Sequence, residues 1–477
     1  MKFPVIGFAA LSAALFVVAG CETIENARAA QERNAPAGEE PDVTKDGVAT
    51  ASAAPRIELS GSMLPDYVAF ALTNRPDVVQ ASLAVADAEL ALKQVEADGP
   101  LVPHLDASGG YSRNTANGRH FTLSHMSGDP SGSLSLDLLI CDFGRNDAQE
   151  AEARENLAAA LVSLLRVRLG VFHEVSAAYF ELRMRDALLE AAFTNEFQYA
   201  SHLKEAQARF EAQEAQKLDV LKAKLDLTDA QLAVITASNA VTTAFADFMK
   251  ALGVSADETS RDELMPKDRD VVSVAWRELD ATHFSAVDGL EIAKGASPEL
   301  AYLRAKLRAA SALVDYRVAD LFPELSLGAT LSFTDRIWNF GWAFKAVQSV
   351  FEGYRRTTAV DRAVVALDSA REDLRLAEQD LSARITSAVA TRDNAMKALV
   401  AAKVKVGQAR ENLDVVREEY GVGEASRVEF TDAVQMYTEA VCDRVKAFYS
   451  GQAAEAALLT LVGRHPVYVE EKVSAIE

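Results

Sequence analysis

The side chains that most often carry enzyme chemistry are scattered along this 477-residue chain rather than grouped. Of its seven histidines, only His120 and His125 lie close together, in a Gly, Asn and Ser-rich stretch that favours solvent-facing side chains over a metal pair. No nucleophile motif of the Gly-x-Ser-x-Gly type occurs, and the abundant carboxylates are typical of charged helix surfaces. The sequence therefore predicts no enzyme, no metal site and no cofactor.

Cys21 has the clearest chemistry in the chain. It follows Met1, Lys2 and an apolar stretch over residues 3–18, which is the pattern of a secretory signal. The run of residues 18–21, Val-Ala-Gly-Cys, resembles a bacterial lipobox, which implies cleavage before Cys21 and acylation of its thiol and amine. The alternative is a plain signal peptide with an incidental cysteine. Glu22 replaces the Asp that retains lipoproteins in the inner membrane, which is compatible with the outer membrane.

The spacing of the 13 prolines predicts very long helices. No proline lies between Pro130 and Pro266 or between Pro323 and Pro466, and a proline inside a helix costs about 3 kcal/mol. We expect long helices over about 145–209 and 354–416, each followed by a returning helix over about 217–251 and 428–462. Long helices of roughly 90 to 100 Å require a coiled coil, a bundle or a helical barrel.

The remaining prolines indicate an internal duplication. Pro76 matches Pro298 and Pro103 matches Pro323, so two copies of one plan are offset by about 220 residues. The predicted division is a signal peptide (1–20), a lipidated extension (21–62), a first repeat (63–253), an equatorial linker (254–296), a second repeat (297–466) and a tail (467–477). Each repeat holds a helix, two strands and a long helical hairpin.

Alternation with a period of two predicts four strands just before the long helices, near residues 105–111, 134–140, 325–333 and 338–346. One face is apolar and the other is small or polar, the pattern of a transmembrane barrel with a wet interior. The residues predicted to face lipid are Leu134, Leu136, Leu138, Leu327, Leu331, Trp338, Phe340 and Trp342. A soluble antiparallel sheet is the alternative, but its outer face would usually carry more charge than Ser, Gly and Thr.

A lipid-embedded sheet cannot keep open edges, and the smallest membrane barrels have about eight strands. Four strands therefore predict a symmetric oligomer of unstated order. The formal net charge of −21 argues against nucleic acid and anionic lipid as partners and suits a periplasmic body or a passage that favours cations. Beyond the N-terminus, no apolar run of the length of a transmembrane helix is expected. Cys141 and Cys442 are interpreted as buried small residues rather than a disulfide.

Taken in order, these motifs make the chain similar to the TolC-like outer-membrane efflux channels of the lipidated branch, from Leu64 to about Arg464. The resemblance lies in residues 74–77 (Asn-Arg-Pro-Asp), the prolines that enter the strands, residues 139–145 with their second copy at 350–355, and two hairpin tips at 209–220 and 420–430.

The resemblance implies a mainly α fold with a small β part. Three chains would close a 12-stranded barrel in the outer membrane, and their helices would form a tunnel through the periplasm. The implied function is the outer-membrane channel of a tripartite export system, which passes small molecules or polypeptides onward from a periplasmic adaptor and an inner-membrane transporter. The alternative is a structural periplasmic coiled-coil lipoprotein without a pore, which has no use for a strand face of aromatic residues.

The resemblance also implies that the hairpin tips close the periplasmic end and dock the adaptor. The residues predicted for this role are Phe210, Gln213, Asp219, Tyr420, Gly423 and Ser426. Gln213 stands where the family often has Gly, and Ala425 stands where some members have an Arg of the gate network. Glu429 and Asp432 are predicted to line the constriction as part of an acidic ring, with a solvated acidic hairpin end as the alternative.

Overall fold

The structure, a computed structural model, describes seven stretches of the chain. They are residues 64–112, 129–213, 216–254, 286–334, 337–348, 351–422 and 424–463. The chain divides into two units, Met1–Ile57 and Glu58–Glu477, and every described residue belongs to the second unit. The predicted signal peptide, Cys21, the N-terminal extension, Gly423 and the C-terminal tail lie outside the described residues.

The elements follow the same order in both halves. The first half contains α1 (Leu64–Asn74), α2 (Pro76–Ala97), β1 (Pro103–Ser112), β2 (Asp129–Cys141), α3 (Arg145–Glu211) and α4 (Lys217–Leu252). The second half contains α5 (Ala286–Ala296), α6 (Pro298–Ala319), β3 (Glu324–Thr334), β4 (Ile337–Val347), α7 (Arg355–Val422) and α8 (Arg427–Val462). The mainly helical fold class with four strands is confirmed.

Two short helices were not resolved from the sequence. Helix α1 ends one residue before Arg75, whose backbone is extended at φ −69° and ψ 129°, because the residue before a proline disfavours the helical region. Helix α5 is its counterpart and occupies the last part of the range that we interpret as a linker, 254–296.

The long helices α3 and α7 have 67 and 68 residues, which corresponds to about 100 Å each. Their buried positions recur at spacings of three and four residues, which places them on one face of the helix. In α3 these include Leu169, Phe172, Val175, Tyr179 and Leu182. In α7, Leu381 and Ile385 join Leu300 of α6 and Leu458 of α8 in one core cluster.

Helix α4 corrects one expectation. It is long and apolar enough, by length and composition alone, to cross a membrane, and 28% of its most apolar window is buried. The expectation of no such segment beyond the N-terminus was therefore wrong. Five of its large apolar side chains are exposed at spacings of three, four and seven, which places them on one stripe of the helix. They are Leu218, Leu221, Leu225, Leu232 and Ile235.

Candidate functional site

The four strands form one antiparallel sheet in the order β1-β2-β3-β4. The register aligns their apolar positions in rows: Leu134 lies opposite Ala107 and Leu331, and Leu331 lies opposite Phe340. The next row joins Leu105, Leu136, Ala329 and Trp342. Since side chains alternate between faces along a strand, the eight residues predicted to face lipid share one face of the sheet.

The opposite face is polar and small. One of its rows joins Ser108, Ser133, Ser332 and Asn339. The hydroxyl oxygens of Ser108 and Ser133 are 2.8 Å apart and form a hydrogen bond across the strands. A β-bulge between Leu139 and Cys141 shifts the register at the helical end of β2, so the alternation is regular up to that point.

Strand β4 is exposed along its whole length. Trp342 and Phe340 are 71% and 72% exposed in the single chain, an unusual state for large aromatic side chains on a contiguous apolar patch. In the described sheet, β1 and β4 are edge strands, and each leaves one row of backbone groups without a strand partner in this chain.

Each connection from the sheet to a long helix uses two successive left-handed residues. They are Phe143 and Gly144 before α3, with φ of 56° and 86°, and Gly353 and Tyr354 before α7, with φ of 62° and 65°. A non-glycine residue in this region costs about 1 to 2 kcal/mol. The ring of Phe143 is stacked on Phe322 at 5.8 Å between centroids, a packing contact that offsets this cost.

Charged side chains brace the same junction. Arg145 donates to Glu324 at 2.8 Å, and Arg356 donates to the backbone oxygen of Asp320 at 2.6 Å. The carboxylate of Asp142 accepts from the backbone N–H of Asn146 at 2.6 Å, which satisfies a donor in the first turn of α3. These contacts fix where the sheet ends and the long helices begin.

The first hairpin tip turns without glycine. Helix α3 ends at Glu211, and Gln213 adopts a left-handed conformation with φ 67°. Helix α4 begins at Lys217, where the N–H of Gln216 donates to the Asp219 carboxylate at 3.2 Å. Gln213 thus takes the conformation usually given to a glycine after a helix end, and Asp219 acts as a helix cap.

The second tip has a reciprocal capping box. The N–H of Ser426 donates to Glu429 Oε2 at 2.7 Å, and the N–H of Glu429 donates to Ser426 Oγ at 3.3 Å. The backbone hydrogen bond lowers the pKa of the Glu429 carboxyl. Glu429 therefore has a structural role at the start of α8 that the sequence reasoning missed, although Ser-x-x-Glu is a readable signal. Asp432 is exposed one turn further on.

Two arginines connect the hairpins near the tips. Arg209 of α3 donates to the backbone oxygen of Tyr420 at 3.0 Å, and its guanidinium lies 4.6 Å from the centre of the Tyr420 ring. Arg427 of α8 donates to Asp226 of α4 at 2.7 Å. The sequence left a charged network in doubt because of Ala425. The structure links the two hairpins through Arg209 and Arg427 instead, and the sequence had not indicated either contact.

The remaining tip residues lie at the helix ends. Phe210 is exposed in the last turn of α3, Tyr420 is half-buried in the last turn of α7, and Ser426 is exposed at the start of α8. No group of three or more His, Cys, Asp or Glu side chains within the described ranges is arranged to hold a metal ion.

Comparison with known proteins identifies the family. The sequence profile of the outer membrane efflux protein family matches residues 68–254 and 289–464. The chain belongs to this family of outer-membrane efflux channels, and it is a channel protein rather than an enzyme. No curated protein sequence matches it significantly.

Solved structures share the fold. The outer membrane protein VceC of Vibrio cholerae has a TM-score of 0.69 at 17% identity, over 84% of this chain and 96% of that chain. The CmeC outer membrane channel of Campylobacter jejuni has a TM-score of 0.69 at 15% identity, over 92% and 97%. The MtrE outer membrane channel of Neisseria gonorrhoeae, described in an open state, has a TM-score of 0.67 at 15% identity, over 84% and 88%.

Proposed function

We propose that three copies of this chain form the outer-membrane channel of a tripartite export system, which carries small molecules or polypeptides from a periplasmic adaptor and an inner-membrane transporter to the outside. The observation that carries the proposal is the sheet, with one continuous apolar face and two edge strands. Unpaired backbone groups are not tolerated in lipid. Three sheets of four strands, each pairing β1 with a partner's β4, close a barrel of 12 strands.

The exposed apolar stripe of α4, from Leu218 to Ile235, supports the same assembly. A single long helix with such a stripe needs a partner to cover it, and the neighbouring chain of a helical tunnel provides one. Cys21 anchors the N-terminus of the mature chain in the outer membrane through its acyl groups. The barrel buries far more apolar surface than a few acyl chains, so it is the main anchor.

The tips form the periplasmic end in this proposal. Phe210, Gln213, Asp219, Tyr420, Gly423 and Ser426 contribute the surface that docks the adaptor. Three copies of Glu429 and Asp432 line the constriction. The Glu429 carboxylate can serve both as helix cap and as ring charge, because only one of its oxygens accepts the Ser426 N–H in the described contacts.

The proposal is tested by placing a charge on each face of the sheet. Trp342→Asp puts a carboxylate on the lipid face and should destabilise the inserted trimer, by less than the about 2 to 4 kcal/mol that an arginine or lysine costs at the membrane midplane. Ser332→Asp, on the opposite face, is the matched control and should be tolerated. Native mass spectrometry in detergent measures the trimer, and conductance in planar bilayers measures the channel.

A stable monomer that forms no channel would contradict the proposal and favour the alternative, a structural lipoprotein. Equal behaviour of the two aspartate variants would show that the face assignment is wrong.

A further inference from the structure

His202 is the one histidine that the described structure buries deeply at a tip. It lies on α3 nine residues before the helix ends, and only 2% of its surface is exposed. Both ring nitrogens are buried, and neither has a hydrogen-bond partner among the described residues. Buried polar side chains are normally hydrogen-bonded, so this imidazole is an exception that calls for an explanation.

The ring lies between two aromatic side chains of the second tip. Its centroid is 4.9 Å from that of Phe430, in the first turn of α8, and 5.5 Å from that of Tyr420, in the last turn of α7. Phe430 and Tyr420 are themselves stacked at 5.2 Å. A neutral imidazole fills this aromatic cluster as an apolar group, and it thereby attaches α3 to the turn that joins α7 and α8.

The charged groups around His202 are already paired with one another. On its own helix, Glu205 is paired with Arg209 at 3.0 Å. On the facing helices, Asp226 of α4 is paired with Arg427 of α8 at 2.7 Å, and Tyr420 of α7 holds Arg209 through its backbone oxygen. Arg417 of α7 lines the adjoining cavity and adds a further positive charge. An imidazolium at this position would meet occupied carboxylates and three guanidinium groups.

The balance of these effects opposes a positive charge on the ring. Burial lowers the pKa of His202, and Arg427 and Arg209 lower it further, whereas Glu205 and Asp226 raise it. Contact with aromatic faces stabilises a cation only weakly, by less than the cost of burying a charge without a partner. A cavity of about 340 Å³, lined in part by Gln198 and Ser201, adjoins the ring and gives it a place to move.

We propose that His202 is an acid-sensing residue of the channel, whose protonation separates α3 from the turn between α7 and α8 and so opens the tip. The inference rests on the proposed function, since it concerns the regulation of that channel end. The direction of the pH effect follows from the burial of the neutral ring. The contact is complete above the ordinary histidine pKa of about 6.5 and weakens as the pH falls below it.

The experiment is conductance of the reconstituted full-length channel between about pH 7.5 and about pH 5.5, the range in which histidine changes charge. The wild type should conduct several-fold better at the acidic end. His202→Phe, which fills the same aromatic cluster without a titratable group, should lose this increase. His173→Gln is the matched control, because His173 is exposed on the same helix, and it should respond as the wild type does.

His202→Gln and a measurement on the unmodified protein keep the test decisive if the Phe variant fails to fold. Hydrogen exchange at the imidazole C2 position, read by mass spectrometry, reports the pKa of each histidine. The pKa of His202 should lie below the ordinary histidine value of about 6.5. A conducting channel whose acid response survives in a folded His202 variant, or a His202 that titrates at the ordinary histidine pKa of about 6.5, overturns the inference alone. A protein that conducts at no pH overturns the proposed function instead.

Discussion

The two halves of the chain have the same backbone plan but fill their cores differently. Positions 210 apart correspond along the helical hairpins: Tyr179 of α3 matches Val389 of α7, and Phe248 of α4 matches Leu458 of α8. In the first half, Tyr67 of α1 completes an aromatic cluster, 5.2 Å from Phe248 and 6.1 Å from Tyr179 between ring centroids. In the second half the corresponding core cluster, around Leu458, is aliphatic.

The electrostatic links of the two halves are reversed as well. In the first half, Arg75 precedes the proline and reaches Glu174 of the long helix at 2.5 Å. In the second half, Glu299 follows the proline and reaches Arg384 of the long helix at 3.1 Å. The duplication has therefore kept the positions where short and long helices meet, while the chemistry of each contact has changed. What the fold requires is a contact at these points and not a particular residue pair.

The largest loss of stability is expected when the aromatic core residues of the first half are replaced by the aliphatic residues found at the corresponding positions of the second half. Tyr179→Val together with Phe248→Leu removes two of the three rings of this cluster and leaves a cavity around Tyr67. We expect a loss of about 3 to 5 kcal/mol in the free energy of unfolding, measured as a shift of the denaturant midpoint of the detergent-solubilised trimer. The single change Leu458→Met in the second half, which nearly conserves volume, should cost less than about 1.5 kcal/mol. A double variant that loses as little as Leu458→Met would show that the two cores are interchangeable.

A smaller loss of stability is expected from breaking the ion pairs between the short and long helices, and it should differ between the Arg75 pair and the Glu299 pair. Arg75 is only 14% exposed, and it donates to Asp77, Glu174 and the backbone oxygen of Ala251. Arg75→Ala leaves these acceptors without their donor, but the Asp77 and Glu174 carboxylates are about half exposed and can be hydrated, so the cost should be about 1 to 2 kcal/mol. Glu299→Ala breaks a pair whose side chains are about half exposed and should cost about 0 to 1 kcal/mol.

The Arg75 pair also has a pH signature. Hydrogen bonding to Arg75 lowers the pKa of the Asp77 carboxyl. The ionised Asp77 carboxylate therefore contributes to the free energy of unfolding at pH values above the ordinary aspartate pKa. This contribution is lost as the pH falls through the lowered pKa. A denaturant midpoint that depends on acid equally in the wild type and in Arg75→Ala would contradict this account.

The sequence predicted most of the fold because its strongest signals are local. The absence of prolines indicated the long helices, and their observed ends lie within about six residues of the predicted ones. The alternation of Leu with Ser placed β2 and β3. Helices α1 and α5 were missed because each has only 11 residues, too few for a clear period. The membrane-like composition of α4 was missed because small and hydroxylated residues separate its apolar ones.

The tips were predicted less completely because their contacts join residues far apart in the chain. The pairing of Arg209 with Tyr420, or of Arg427 with Asp226, depends on how two hairpins lie against each other, and no spacing within one helix reveals it. His202 had no neighbouring motif at all, since its environment comes from Tyr420 and Phe430, more than 200 positions away. The capping box of Ser426 and Glu429 is local and readable from the sequence. It was missed because Glu429 was interpreted only as part of an acidic ring.

The smallest change in stability is expected from exchanging glutamine and glycine at two positions with a left-handed backbone. Gln213 at the first tip has φ 67°, and Gly353 before α7 has φ 62° with open space around the position of a Cβ atom. Gln213→Gly should stabilise the channel by about 1 kcal/mol, and Gly353→Gln should destabilise it by about the same amount, because only glycine adopts this conformation without strain. Ala212→Gly is the control, since Ala212 has φ −74° and glycine there adds flexibility without relieving strain.

The denaturant midpoints of the three variants should rank with Gln213→Gly above the wild type and with Gly353→Gln and Ala212→Gly below it. A stabilising Ala212→Gly would mean that the first tip gains from flexibility itself, and the left-handed conformation of Gln213 would then not explain the difference between this position and Gly353.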